Sequence, residues 1–279
     1  MGGEGEADLV VAALEGLVAG PPEAVEPVAV GRRRQGMTPQ ALTERLQAAC
    51  GAHLKSVVLY GSAAAGDHTG KRSDYNVLVV LDQLGPAELR ALAPLVRSWV
   101  KAGNLTPLLF TPARLTRAVE VFPLEIADLK ESHHILFGAD VVSPLSVHTA
   151  NLRLQLEHEL NGTLMQLRSR YLLTQGHRRK VTELMIRSLS TFLVLCRGAL
   201  RLYQPTVPAK KLEALGELAK HIPIHIQVFE TIAHLKAGRH IPGLDPEALF
   251  AEYVRMIERI IDAVDALLHP NRSERKEAS

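Results

Sequence analysis

The 279-residue sequence is short of cysteine, of aromatic residues and of net charge. Its cysteines, Cys50 and Cys196, stand far apart with no Cys or His at metal-ligand spacing beside them, which excludes a disulfide framework and a zinc ribbon and suits a reducing compartment. Aromatics make up 4% of the chain, too few to furnish the stacking platforms that hold single-stranded nucleic acid. Lys and Arg number 32 against 30 Asp and Glu, and a net charge of +2 gives no broad attraction for polyanions, so general nucleic-acid binding is not expected. No apolar run approaches the roughly 20 residues of a membrane-spanning helix. The first residues are acidic (Glu4, Glu6, Asp8) where a secretory signal would be basic. These absences together predict a cytoplasmic protein without a membrane partner.

What is present is 47% apolar residues, enough for one large or two small cores. Residues 1–37 combine glycines and prolines with the basic run Arg32, Arg33, Arg34 and read as a flexible extension, with Met37 a candidate start. From Thr38 the pattern changes. Thr38-Pro39 opens a helix whose Leu42 and Leu46 fall on one face. Lys55–Tyr60 and Asp74–Leu81 read as strands separated by a short small-residue helix, Ala63–Ala65, and a polar loop. Pro86–Lys101 reads as a helix, Thr106–Phe110 as a third strand, Thr111-Pro112 as the opening of another helix and Ile135–Phe137 as a short last strand. Strands alternating with helices over 38–145 predict a mixed α/β (α+β) domain. Beyond Ser143-Pro144 only helical signals remain, with apolar stripes such as Leu152, Leu156, Leu160, Leu164 and Leu167. Residues 146–268 therefore read as a helical bundle, with shorter helices after Pro208 and Pro223 and a long one capped by Asp245-Pro246. Residues 269–279 read as a disordered polar tail.

The segment with chemical content is Leu59-Tyr60-Gly61-Ser62, followed eleven residues after Ser62 by Ser73-Asp74-Tyr75-Asn76. A glycine lets backbone approach a phosphate closely, and a serine beside it offers a hydroxyl and an N–H to phosphate oxygens. Residues 74 and 76 of an extended strand project to the same side, so Asp74 and Asn76 would face one site together. This layout of strand, Gly-Ser turn, loop and acid-led strand resembles the nucleotidyltransferase domain of DNA polymerase β-like enzymes, over about residues 38–145. A helical C-terminal domain accompanies that domain in many small bacterial members.

The resemblance implies Gly61, Ser62 and Ser73 on the nucleotide and Asp74 and Asn76 at a Mg²⁺ site. It also implies a nucleoside triphosphate, taken as ATP, and transfer of its nucleoside monophosphate to a hydroxyl of a small molecule or protein. The sequence departs from the family at three places. Position 76 is Asn where the family has Asp, the strand at Thr106–Phe110 holds no acid, and Ala63, Ala64 and Ala65 stand where an Arg is usual. Two metal ions in such a site are ordinarily clamped by carboxylates, and Asn76 supplies an oxygen without charge. The departures leave open an inactive nucleotide-binding or protein-interaction module on the same fold. Asp67, Glu125 and Asp128 are the acids nearest in sequence that could replace a missing ligand.

Weaker signals are His133-His134, the pair His221 and His225 interrupted by Pro223, and Lys210-Lys211. A basic group, Arg153, Arg168, Arg170, Arg178, Arg179 and Lys180, opens the helical region. A solvated helix face accounts for the basic group, and no acid completes a histidine metal motif.

Overall fold

A computed structural model describes residues 37–64 and 75–267 of the chain. The N-terminal extension, Ser73, Asp74, Asp67 and the C-terminal tail lie outside the described residues. Among the described residues no helix is long and apolar enough to cross a membrane. They form two compact units, residues 37–147 and 148–267.

The first unit is a four-stranded mixed sheet with helices on both faces. Its elements are α1 (Pro39–Cys50), β1 (Leu54–Tyr60), β2 (Asn76–Leu81), α2 (Pro86–Lys101), β3 (Leu108–Phe110), α3 (Pro112–Val121), α4 (Pro123–Glu131) and β4 (His133–Gly138). The strand order is β3-β2-β1-β4, with β1 antiparallel to both neighbours and β2 parallel to β3. Every residue of β2 is buried, which explains its almost unbroken apolar run, because a central strand covered on both faces has no solvent side. Its residues alternate between two cores. Val77, Val79 and Leu81, with Val57 and Leu59 of β1, pack against Leu42 and Leu46 of α1 and Leu92 and Trp99 of α2. Leu78 and Val80, with Val58 and Tyr60, pack against Leu115 and Val119 of α3 and Ile126 and Leu129 of α4. The local signals behave as their chemistry dictates: Thr38 caps α1 by accepting from Ala41 N–H at 3.2 Å, and Thr111 caps α3 by accepting from Arg114 N–H at 3.4 Å.

Several boundaries differ from the sequence reading, β1 by one residue at Leu54. β3 begins at Leu108 rather than Thr106; Pro107 has no N–H to give a ladder. β4 extends to His133 and Gly138 around the apolar triplet, because pairing with β1 runs from Tyr60↔His133 to Ser56↔Gly138. Described β2 starts at Asn76, and Tyr75 before it turns its ring toward Trp99, with centroids 6.1 Å apart. The expected small-residue helix is a 3₁₀ turn, Gly61–Ala63, closed by Ala64 N–H donating to Gly61 O at 2.9 Å.

The second unit is all helical: α5 (Thr149–Leu172), α6 (Arg178–Leu200), α7 (Lys211–Leu218), α8 (Ile226–Lys236) and α9 (Pro246–Ala266). Its core gathers Leu156, Leu160, Leu164, Met185, Leu189, Phe192, Phe229, Tyr253 and Ile257. Phe192 and Phe229 meet Tyr253 edge-on, with centroids 5.7 and 5.4 Å away. The Asp245 carboxylate caps α9 at Glu247 N–H, 3.3 Å. The helices expected after Pro208 and Pro223 start at Lys211 and Ile226. Both proline carbonyls are bound by arginines, Arg197 Nε and Arg259 Nη1, each at 2.9 Å, which holds the preceding chain outside the helix.

Candidate functional site

The site is built at the end of the sheet where β1 leaves the core. Tyr60, the last residue of β1, lies opposite Asn76 of β2 on one side and His133 of β4 on the other, so three strands present one row of side chains there. Directly after Tyr60, Gly61 takes φ +76° and donates its N–H to Ser132 O at 3.0 Å. That backbone region disfavours residues with a Cβ, and a Cβ at position 61 would stand 3.0 Å from Asn76 Nδ2. Gly61 is thus favoured by the turn, and any Cβ there would press on the Asn76 amide. Ser62 is the middle residue of the 3₁₀ turn.

Asn76 is the unusual group. It is 6% exposed, at the head of a strand otherwise made of Val and Leu, and its Oδ1 is buried with no hydrogen-bond partner among the described residues. An unmet buried acceptor costs about 1–3 kcal/mol, so this oxygen marks a place where an N–H, a hydroxyl or a cation would be satisfied. Tyr60 beside it stays a neutral phenol, since burial pushes its pKa well above the ordinary range. His133 has Nδ1 3.1 Å from Lys130 O, which places the ring proton on Nδ1, and Nε2 3.6 Å from Asp140 Oδ1. The row of Asn76, Tyr60 and His133 was not visible as a group in the sequence, because it depends on cross-strand register.

The acids weighed as substitutes separate. Glu125 and Asp128 both stand on α4; Glu125 is buried and borders, with Leu78, Leu108 and Phe110, a cavity of about 20 Å³. That is room for about one water. Leu78 lies two residues beyond Asn76 on the same side of β2, so Glu125 belongs to the sheet face that Asn76 shares. Among the described residues no three His, Cys, Asp or Glu side chains come together as a metal site. Asn76 Oδ1 fits one neutral oxygen ligand of a hard cation such as Mg²⁺, and β3, Leu108-Leu109-Phe110, adds none.

With this geometry in hand, known structures can be compared. The chain is similar to the crystal structure of spectinomycin adenyltransferase AAD(9) from Enterococcus faecialis with ATP and spectinomycin. The match has a TM-score of 0.49 and 12% identity, covering 80% of this chain and 98% of that one. No family model and no curated protein matches the sequence.

The remaining candidates are dispersed. His221 stacks on Tyr203 with centroids 4.9 Å apart, while His225 pairs with Glu252 at 3.1 Å, so the two do not share a ligand. Lys210 pairs with Glu213 at 2.8 Å. Burial pushes the Cys196 thiol up to about 12, leaving it inert. The basic group at the start of the helical unit is no single face. Arg153 is buried and pairs with Glu157 at 2.7 Å, Arg168 pairs with Glu258 of α9, and Arg178 holds Leu244 O at 2.7 Å beside Asp245.

Proposed function

We propose that the chain binds a nucleoside triphosphate, ATP as the reference nucleotide, with its Mg²⁺, on the Gly61-Ser62 turn. The observation that carries this reading is the buried Oδ1 of Asn76, without a partner among the described residues, on a side chain that lies against Gly61, whose φ of +76° disfavours a Cβ. A turn of this kind accepts phosphate oxygens on its N–H groups. Ser62 and Ser73 would add hydroxyls, and Asp74 and Asn76 would hold the nucleotide's metal ion. Most ligands of a nucleotide-bound Mg²⁺ come from phosphates and water, so one carboxylate and one amide suffice for binding. Bound Mg²⁺ would supply charge neutralisation at the phosphates. The chemistry open to such a site is attack of an acceptor hydroxyl on the α-phosphorus, forming the new P–O bond as the bond to pyrophosphate breaks. The acceptor would be a small molecule or a protein.

A second reading, binding without transfer, is favoured by the same Asn76 and by the acid-free β3. Losing one electrostatic stabiliser of developing charge costs about 10²–10³ in rate. Calorimetric titration with ATP, GTP, CTP and UTP, with and without Mg²⁺, tests the shared part of both readings. Mg²⁺-dependent binding that disappears in Asp74→Ala and tightens in Asn76→Asp is expected. Absence of nucleotide binding, or an unchanged affinity in both variants, refutes it. Release of pyrophosphate by Asn76→Asp but not by the native chain would favour lost transfer.

A further inference from the structure

The helical unit holds a polar cleft that the nucleotide reading does not use. It lies between α5 and α6 and has a volume of about 210 Å³, room for several waters. Thr163, Gln166 and Arg170 line it from α5, and Arg187, Ser188 and Thr191 from α6. Each set follows the i, i+3 or i+4, i+7 spacing of one helix face, with one apolar member apiece, Leu167 and Leu184. Elsewhere these helices turn Leu152, Leu156, Leu160 and Leu164, and Leu189, Phe192 and Cys196, into the core. Packed helices close such seams with apolar side chains, so a run of polar side chains here leaves the seam open.

The polar groups are left available. Three other helical threonines satisfy their hydroxyls on the carbonyl four residues back: Thr43 on Pro39 O at 2.8 Å, Thr116 on Pro112 O at 3.1 Å and Thr182 on Arg178 O at 3.0 Å. Thr163, Thr191 and Gln166 make no side-chain hydrogen bond among the described residues, and Arg170 makes no ion pair there, unlike Arg168 and Arg178. Arg187 is held by Glu183 at 2.6 Å, one turn earlier on an exposed part of α6, and keeps donors to spare. No carboxylate is among the lining residues. Ser188 closes the floor: it donates to Met185 O at 3.1 Å and accepts from the buried hydroxyl of Tyr253 at 3.2 Å. Two guanidinium groups with hydroxyl and amide donors, and no acid, are the chemistry that recognises a tetrahedral oxyanion.

We propose that the α5/α6 cleft binds a phosphate group, free or carried on a small carbon skeleton, through Arg170 and Arg187 with Thr163, Thr191 and Gln166 on its remaining oxygens. The test is calorimetric titration of the full chain, at low ionic strength, with inorganic phosphate and separately with glycerol phosphate. Saturable binding of at least one is expected, and the tighter of the two names the source. Arg170→Ala and Gln166→Glu should each weaken it about tenfold or more, the first by removing a cation and the second by placing a like charge beside the oxyanion. Both positions are exposed on α5, and melting curves of the variants are expected to overlay the native one. Failure of both probes to bind, or binding at native strength in Arg170→Ala and Gln166→Glu, overturns the proposal. Binding that survives at native strength in those variants belongs outside the cleft.

Discussion

In β2 of the α/β unit the one polar side chain, Asn76, is buried with its Oδ1 unpartnered among the described residues, whereas in the helical unit the buried hydroxyl of Tyr253 is met by Ser188 at 3.2 Å. Both groups sit in apolar cores and both cost free energy to desolvate. Of these two groups only Tyr253 recovers that cost among the described residues; Arg153 Nε and Glu247 Oε1 of the helical unit are also buried without a partner there. A buried orphan persists where something outside the fold completes it, and Asn76 lies against the glycine turn where backbone N–H groups could receive an anion. The comparison assigns structure to one buried polar group and binding to the other, and substitutions in each unit can break it.

The largest effect is expected from core truncation that separates the units. Leu92, 1% exposed, packs in the same core as Trp99, the chain's single tryptophan, so fluorescence reports the α/β unit. Leu92→Ala should lower the stability read by Trp99 fluorescence in urea by about 2–5 kcal/mol. Helical circular dichroism should retain a transition near its native midpoint. An equal shift by both probes would mean that the units unfold as one, and that buried polarity in one is compensated by the other.

Asn76→Val bears on the comparison directly. Valine suits a buried strand and removes the orphan acceptor, so stability should rise by about 1 kcal/mol while Mg²⁺-dependent nucleotide binding is lost. Stability measured in urea and affinity measured by calorimetry would then move in opposite directions. A drop in stability would show that Oδ1 is satisfied in solution and that Asn76 serves the fold.

The architecture was legible where it rests on period and punctuation. The β-branched apolar runs Val57 to Tyr60 and Val77 to Leu81, the caps Thr38, Thr111 and Asp245, and the apolar stripe of α5 each state their element locally. Gly61 and Asn76 could also be singled out, since a glycine and a polar residue beside apolar strands break a local rule. What was hidden depends on register and on helix pairing. No spacing in the sequence brings His133 beside Tyr60, or sets Thr163, Gln166 and Arg170 opposite Arg187 and Thr191. The basic residues after position 150 looked like one group, yet their partners Glu157, Glu258 and Asp245 come from three places in the chain.

Tyr253→Phe measures the other side of the comparison. It keeps the edge-on contacts with Phe192 and Phe229 and deletes only the hydroxyl that Ser188 receives, so a loss of about 1 kcal/mol is expected with nucleotide affinity unchanged. No loss would place the Ser188 hydroxyl's value in the cleft rather than in the core.

The smallest effect concerns acid. After β4, Asp140 takes the Ser143 hydroxyl at 2.5 Å, the Ser143 N–H at 3.0 Å and the Val142 N–H at 2.9 Å. Led by the Ser143 hydroxyl, and helped by His133 nearby, these hold its carboxyl at about 2. An unfolded Asp titrates near about 3.9, so the folded form binds its proton less readily. The stability this carboxylate contributes is present above about pH 4 and is lost as pH falls toward about 2. Ser143→Ala removes the largest contribution. The variant should be slightly less stable than the native chain at pH 7 in Trp99-monitored urea unfolding, and the difference should close between about pH 4 and about pH 2. A difference that stays constant down to pH 2 would assign Ser143 to loop packing.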